Sequence, residues 1–361
     1  MPLTFEIQRN ADARSDSEVA ELLKNPGFGA HFTDHMVSIT WTKGQGWHSA
    51  TVKPYGPLTL DPSAAVLHYG QEIFEGMKAY RHADGSVHLF RPDQNAARFN
   101  RSAARMMLPN LPEGDFVEAV RQLVELDARY VPQPEGEHSL YIRPFMIASE
   151  AFLGVRAAEE VTFLVIASPV GPYFANGVQG VDIWVTDEWA RAGEGGTGNA
   201  KCGGNYAASL IAQYEGYDHG CTQVMFIEAS GKDRVEELGG MNVFLVSKDD
   251  ELVTPALSGT ILDGITRDSI LTVGADQGLT PVERRLSAQE VFDGIADGTF
   301  VEAFCCGTAA VISPISGFKS KKGEWRPQGQ DFARTIQIRD GVLDIQYGRA
   351  TDSHGWLSKV V

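Results

Sequence analysis

One lysine in this sequence stands inside a run of glycines. The segment Gly193 to Tyr206 reads GEGGTGNAKCGGNY, with Lys201 beyond its middle. Glycines let backbone close up on a ligand, and three chemistries compete for such a stretch. Gly193, Gly195 and Gly198 match the dinucleotide-binding spacing G-x-G-x-x-G. That fingerprint follows a strand directly, whereas Glu188 to Ala192 intervene here. A phosphate-binding P-loop carries its lysine straight after the last glycine, then Ser or Thr. Here Asn199 and Ala200 precede Lys201 and Cys202 follows it. Third, a lysine amine can bond covalently to an aldehyde cofactor. Read alone, the segment fits a flexible loop with a solvated lysine better than any of the three. His31 and His35 are spaced like a helical metal pair, but they lack a third ligand and precede strand-like residues, so structural histidines are expected. Cys202, Cys221, Cys305 and Cys306 show neither metal spacing nor a disulfide framework. Free thiols fit a reducing compartment.

The elements that must position these groups are legible from periodicity. Strands are expected over 34–42 and 47–53, and buried strands over 139–149 and 161–170. A turn at Ala83-Asp84-Gly85 predicts a hairpin. A helix is expected from Asp93, capped by that residue. Another is expected over Gly114 to Arg129, with Phe116, Val120, Leu123 and Leu126 at helical spacing. Gly171 to Gly180 is the best linker. Beyond it come a strand over 181–187, the glycine run, a helix over Asn205 to Tyr217 with Leu210, Ile211 and Tyr214 on one side, strands over 222–228 and 242–248, and a helix near Thr266. This mixture reads as α+β or α/β.

At 361 residues the natural expectation is two domains, and 43% apolar residues can build a sizeable core. The formal charge of −16 repels phosphate backbones, so no nucleic-acid partner is expected. No apolar run approaches the roughly 20 residues a membrane helix needs, so no membrane is expected. Met1 to Leu23 has neither signal-peptide nor transit-peptide composition. The expectation is a cytoplasmic protein.

Read together, the segments carry more than any does alone. GGTGNAKCGGNY (195–206) resembles the cofactor-lysine segment of branched-chain aminotransferases, in the fold-type IV group of pyridoxal-phosphate enzymes. EELGGMN (236–242) resembles the signature supplying a carboxylate to the pyridine nitrogen. LDGITRDSIL (262–271) and FCCGTAAVISP (304–314) resemble two phosphate-cradling segments. LHYGQEIFEGMKAYR (67–81), AARFNRSA (96–103), SLYIRP (139–144) and SPVGPYF (168–174) match in order. The resemblance covers nearly the whole chain. It implies a smaller N-terminal α/β domain over 1–173, an interdomain linker over 174–181, a larger C-terminal pseudo-barrel domain over 182–361, and pyridoxal 5'-phosphate at the domain interface. It implies a homodimer that transfers the amino group of leucine, isoleucine or valine to 2-oxoglutarate in a reversible ping-pong cycle. A D-amino-acid aminotransferase and an aminodeoxychorismate lyase share the fold; the FEGMKAY and GGTGNAKCGGNY runs favour the branched-chain group. The rival from another class is a nicotinamide dehydrogenase.

The resemblance also assigns roles. Lys201 would be the cofactor lysine and proton carrier. Glu237 would keep the ring nitrogen protonated, with Glu236 the neighbouring alternative. Tyr206 would lie near the cofactor's phenolic oxygen. Arg98 would bind phosphate through its planar fork of donors, joined by Ile265 and Thr266 at a helix start and by Thr308. Some relatives carry a hydroxyl residue where this chain has Gly240. Phe28, Tyr69, Phe74, Tyr141 and Tyr173 would surround the substrate side chain. Thr308 and Ala309 would bind its α-carboxylate through backbone amides. Leu153 and Val155 would reach across from the second subunit. Arg143 would receive glutamate's side-chain carboxylate, the alternative being a structural pairing with an acid such as Glu150. A redox Cys-x-x-Cys of some animal relatives is replaced here by Ala310 and Ser313.

Overall fold

In the computed structural model, which describes all residues except 1, 174–176, 229–230 and 232, the chain divides into two units. The first comprises Met1–Tyr173, Ala200–Gly203 and Ile345–Val361; the second comprises Phe174–Asn199 and Gly204–Asp344. Residues 174–176 of the expected linker lie outside the described residues.

The first unit is built on one sheet. Its strands run in the order Glu6–Ile7, Gly46–Pro54, His35–Thr42, Glu160–Val170, Ser139–Ala148, Met77–Arg81, Val87–Phe90 and Leu357–Lys359, and Glu72–Phe74 also pairs with Ser139–Ala148. The two-residue strand Glu6–Ile7 pairs in parallel with its neighbour, and the other pairings are antiparallel. Along Ser139–Ala148, Leu140, Ile142, Pro144 and Met146 are buried while Tyr141, Arg143 and Phe145 are half-buried. That alternation puts Tyr141 and Arg143 on the same face of the sheet. The helices Pro92–Arg105 and Glu113–Leu126 join the core through Phe99 and Phe116, whose rings meet Phe163 of the sheet at 5.4 and 5.8 Å between centroids.

The expected Asp93 cap needs correction. The helix starts at Pro92, and Arg91 precedes it in left-handed backbone (φ 51°, ψ 47°) with no side-chain cap. Proline suits the first helical position because its missing N–H is one that the helix leaves unpaired in any case. Asp93 sits within the first turn, where its charge favours the positive end of the helix dipole.

The second unit has its own sheet, ordered Val235–Leu238, Gln223–Ile227, Val181–Thr186, Val311–Ser320, Phe300–Gly307, Asn242–Ser247, Glu251–Pro255 and Thr280–Arg284, with Gly323–Trp325 paired to Val311–Ser320. Every residue of Asn242–Ser247 (NVFLVS) is buried, which explains its unbroken apolar run. The expected helix over Asn205 to Tyr217 forms as Gly203–Asp218. Its buried residues are Asn205, Ser209, Ala212 and Gly216, while Leu210, Ile211 and Tyr214 are more than half exposed. Helical spacing located the stripe, but small residues face the core because they let the helix approach closely.

No helix among the described residues is long and apolar enough to cross a membrane.

Candidate active site

In the first unit, Lys201 is held by its backbone. Its N–H donates to the Ser102 hydroxyl at 3.0 Å, and its carbonyl accepts from the Phe74 N–H at 2.9 Å. Ser102 comes from the helix Pro92–Arg105 and Phe74 ends a short strand, so two regular elements fix a lysine whose own segment is irregular. The side chain reaches the Phe74 ring, with Nζ 4.8 Å from its centroid. The guanidinium of Arg143 approaches the same ring at 4.7 Å. A cation near an aromatic face is stabilised by the ring quadrupole, so Phe74 receives two positive groups.

Arg143 also donates to the Tyr141 hydroxyl at 2.9 Å, and the Tyr141 ring packs against Phe28 at 5.3 Å. The Tyr141 hydroxyl occupies the space a Cβ on Gly76 would take, so glycine is required there. Lys201, Phe74, Arg143, Tyr141 and Phe28 thus form one contiguous cluster. Glu150, the alternative partner for Arg143, instead pairs with Arg156 at 2.6 and 3.1 Å. Tyr69, Leu153, Val155 and Tyr173 are exposed residues of the same unit.

Arg98 is buried and bidentate to Glu75, with Nε to Oε1 at 2.7 Å and Nη2 to Oε2 at 2.8 Å. Asn95 adds a 2.7 Å bond to Oε2. Burial pushes the Glu75 carboxyl up, but Arg98's charge and hydrogen bonds, the charge of Lys201 and the Asn95 amide hold it below its ordinary value.

In the second unit, Glu237 lies on the strand Val235–Leu238. Against its neighbour, Leu238 pairs with Met225 and Val235 with Ile227. The strand therefore carries one extra residue, a bulge at Glu236–Glu237. Bulges re-aim side chains, and these adjacent carboxylates have different surroundings. Glu237 forms a buried ion pair with Arg191, accepts from the Leu262 N–H at 2.9 Å and accepts from Asn242 Nδ2 at 3.3 Å. Glu236 is buried, and burial pushes its carboxyl above the ordinary value despite Thr260 and the charge of Arg191.

Around Glu237 the second unit gathers the remaining expected residues. Tyr206 rises from the helix Gly203–Asp218, with Cε1 3.4 Å from where a Cβ on Gly240 would stand. Asn242 bonds the Leu262 carbonyl at 3.1 Å, just before the helix Ile265–Asp276. That helix begins with Ile265 and Thr266 after Gly264, and no side chain caps its first N–H groups. Thr308 and Ala309 lie between strands Phe300–Gly307 and Val311–Ser320, where Cys306 registers with Asn242. An uncapped helix start and a nearby turn suit an anion, and a paired carboxylate suits a protonated ring nitrogen.

Glu75, Ser102 and Arg191 were not singled out by the sequence reading. Glu75 lies inside the FEGMKAY run, so its segment was flagged though its partner was not. Arg191 carried no signal: the Glu237 pair and its bonds to the carbonyls of Gly198 and Thr260 are tertiary. His35 is structural, with Nδ1 2.7 Å from Asp127 and Nε2 accepting from the Asn10 N–H at 2.9 Å. Burial pushes the Cys305 thiol up to about 12 and that of Cys306 well above its ordinary value, so neither is a ready nucleophile.

Comparison with known proteins shows what the chain is similar to. The family model described as amino-transferase class IV matches residues 72–318. A probable branched-chain-amino-acid aminotransferase of Streptomyces coelicolor is 52% identical over 98% of both chains. The branched-chain-amino-acid aminotransferase of Mycolicibacterium smegmatis is 50% identical over 99% of both. Among solved structures, the branched-chain aminotransferase of the archaeon Thermoproteus uzoniensis, determined with norvaline, superposes with a TM-score of 0.73 at 26% identity, covering 90% of this chain and 100% of that one. The Escherichia coli enzyme gives a TM-score of 0.72 at 26% identity with the same coverage.

Proposed function

As a member of the class IV aminotransferase family, the chain has a reaction to be specified, and we propose the following one from its residues. It is a branched-chain-amino-acid transaminase that uses pyridoxal 5'-phosphate and moves the amino group of leucine, isoleucine or valine to 2-oxoglutarate, reversibly. The observation that supports this most directly is the cluster in which Lys201 Nζ stands 4.8 Å from the Phe74 ring, alongside Arg143, Tyr141 and Phe28. It offers an amine, an aromatic wall and one cation to the same ligand.

The residues fit the cofactor: Glu237 is a paired carboxylate suited to a ring nitrogen, and the helix starting at Ile265 has uncapped N–H groups suited to a phosphate. When bound, pyridoxal 5'-phosphate supplies an aldehyde carbon for an amine and a ring that takes up the electron pair left on a substrate carbon. Lys201 Nζ would hold it covalently. Once the substrate's amine replaces it there, the freed lysine amine would take a proton from the amino acid's α-carbon in one half-reaction and give one to the 2-oxo acid's α-carbon in the other. Glu237, paired with Arg191, would hold a proton at the ring nitrogen. Tyr206 would donate its hydroxyl proton to the phenolic oxygen. Arg98, its fork aimed by Glu75, and Ile265, Thr266 and Thr308 would bind the phosphate.

On the substrate side, Phe28, Tyr69, Phe74, Tyr141 and Tyr173 would surround the apolar side chain. The amides of Thr308 and Ala309 receive the α-carboxylate. Arg143 turns from the Tyr141 hydroxyl to the second carboxylate when glutamate binds. The enzyme works as a homodimer in the cytoplasm. In support, Leu153 and Val155 are 66% and 89% exposed in the single chain, as apolar residues that a partner covers would be, and the four cysteines are free.

The test is a purified protein with added cofactor. Borohydride should fix the cofactor to the peptide carrying Lys201, and leucine with 2-oxoglutarate should yield glutamate. An adduct elsewhere, or no amino transfer from any branched-chain amino acid, overturns the reading.

A further inference from the structure

Lys201 stands just before the helix Gly203–Asp218, in irregular backbone whose helical neighbours on that side are two glycines, the residues with the most conformational freedom to lose. Its tethers must come from elsewhere. Ser102 holds the Lys201 N–H and the Phe74 N–H holds its carbonyl. A third tether lies two residues on, where the Gly203 N–H donates to Oε1 of Glu72. Glu72 and Phe74 are the two ends of a single three-residue strand, registered to Ile147 and Phe145 of the long strand Ser139–Ala148. One short strand therefore grips the lysine segment twice, by backbone at Lys201 and by side chain at Gly203.

From this double grip we propose that Glu72 is a positioning residue for Lys201, fixing through the Gly203 amide where the lysine amine stands. The fit is close: a Cβ on Gly203 would lie 2.5 Å from Glu72 Oε1. A side chain at 203 would displace the carboxylate from this contact. Glu72 is half-buried and close enough to Arg143 to feel its charge. Burial pushes its carboxyl up, opposed by the Gly203 N–H and by Arg143. A partly desolvated carboxylate is unfavourable unless bonded, and Glu72 is bonded by the amide of Gly203. Glu72 touches no reacting atom. Its effect is on the geometry of the amine, and misplacing a reacting group by an ångström is enough to slow a reaction about 100-fold.

This inference rests on Lys201 being the cofactor lysine, and two variants separate the ideas. Leucine is the substrate of choice because its side chain brings no charge toward Arg143. Glu72→Ala should lower kcat of the leucine half-reaction by about 10- to 100-fold while KM changes by no more than about twofold. Glu72→Gln, whose amide oxygen still accepts from Gly203, should recover most of that loss. Amide hydrogen exchange at residues 200–204, measured without cofactor, should quicken in the alanine variant and not in the glutamine variant. A general structural role would instead quicken exchange throughout the sheet. If Glu72→Ala keeps the wild-type kcat, or Glu72→Gln is as slow as the alanine variant, the proposal fails. If borohydride fixes no cofactor at Lys201 in the unaltered protein, the underlying reading fails instead.

Discussion

Arg98 and Glu75 form a two-bond fork, at 2.7 and 2.8 Å, with both side chains buried. The pair binds the helix Pro92–Arg105 to the turn after the strand Glu72–Phe74. Removing one partner of a buried pair strands the other's charge, a loss of about 3–5 kcal/mol. Glu75→Gln should therefore lower the melting temperature sharply and weaken cofactor retention, because the Arg98 fork loses its aim. Since the Glu75 carboxyl is held below its ordinary value, its contribution is present above the unfolded carboxylate's pKa and is lost as pH falls through the folded one. Melting curves from neutral to acid pH check this: the variant's deficit should shrink as the wild type loses the same contribution. A variant as stable as wild type at neutral pH would contradict it.

Arg143 has a phenol to return to, 2.9 Å away at Tyr141. Arg143→Met should leave the leucine half-reaction within a few-fold of wild type and weaken glutamate and 2-oxoglutarate by roughly 2–4 kcal/mol in kcat/KM, the scale of one charge-assisted pair left unmade. Stopped-flow measurement of each half-reaction decides; equal losses for both substrates would make Arg143 structural.

Arg191 should matter to chemistry although it carries no reactive group. With Glu237 as the ring-nitrogen partner, Glu237→Gln should slow both half-reactions on the order of 100-fold, as loss of one preorganised electrostatic partner does. Arg191→Met, which removes the cation beside Glu237, should slow both as well and weaken the fold. Rates as fast as wild type in a folded Arg191→Met protein would show the pair to be dispensable.

Glu236 predicts the opposite pH behaviour to Glu75. Its folded carboxyl is raised by burial, so the state it favours is protonated. Its stabilising share is complete below the unfolded pKa and is lost as pH rises through the folded one. Glu236→Gln should then raise the melting temperature at neutral pH, by about 2–4 °C if the penalty is roughly 1 kcal/mol, and add nothing near pH 4. A gain at acid pH and none at neutral pH would reverse the assignment.

The parts of the site that sequence made legible are those whose chemistry is local. A helix opening near Thr266 and a strand over 139–149 announce themselves over a few residues, whereas the lysine among glycines reads alone as a flexible loop and is picked out only together with the other matching segments. Partnerships do not announce themselves. Arg98 looks like a helix-surface arginine until the fold brings Glu75 against it, and nothing near Arg191 names Glu237. Position 237 itself falls on a bulged strand that no alternation pattern announces, because all four residues of Val235–Leu238 are buried. The helix over Gly203–Asp218 was found by spacing, yet its apolar side chains Leu210, Ile211 and Tyr214 point to solvent. Tertiary packing, which favours small residues where backbones approach, decided that face.

The strand Leu357–Lys359 closes the first unit's sheet by pairing antiparallel with Val87–Phe90, and Tyr347 reinforces it with its ring edge-on to Tyr80 at 5.0 Å and its hydroxyl donating to the His138 carbonyl at 3.0 Å. Translation delivers these partners at opposite times. Val87–Phe90 leaves the ribosome early and waits with one rim unmated while the whole second unit is being made. Domains emerging from the ribosome generally fold as they appear, but here the earlier-made unit can be only provisional until the later-made one has passed. An unmated rim is a template for foreign strands. The interval before residues 345–361 arrive is therefore when this chain most needs a chaperone, and a stalled or prematurely ended chain is the form most prone to aggregate.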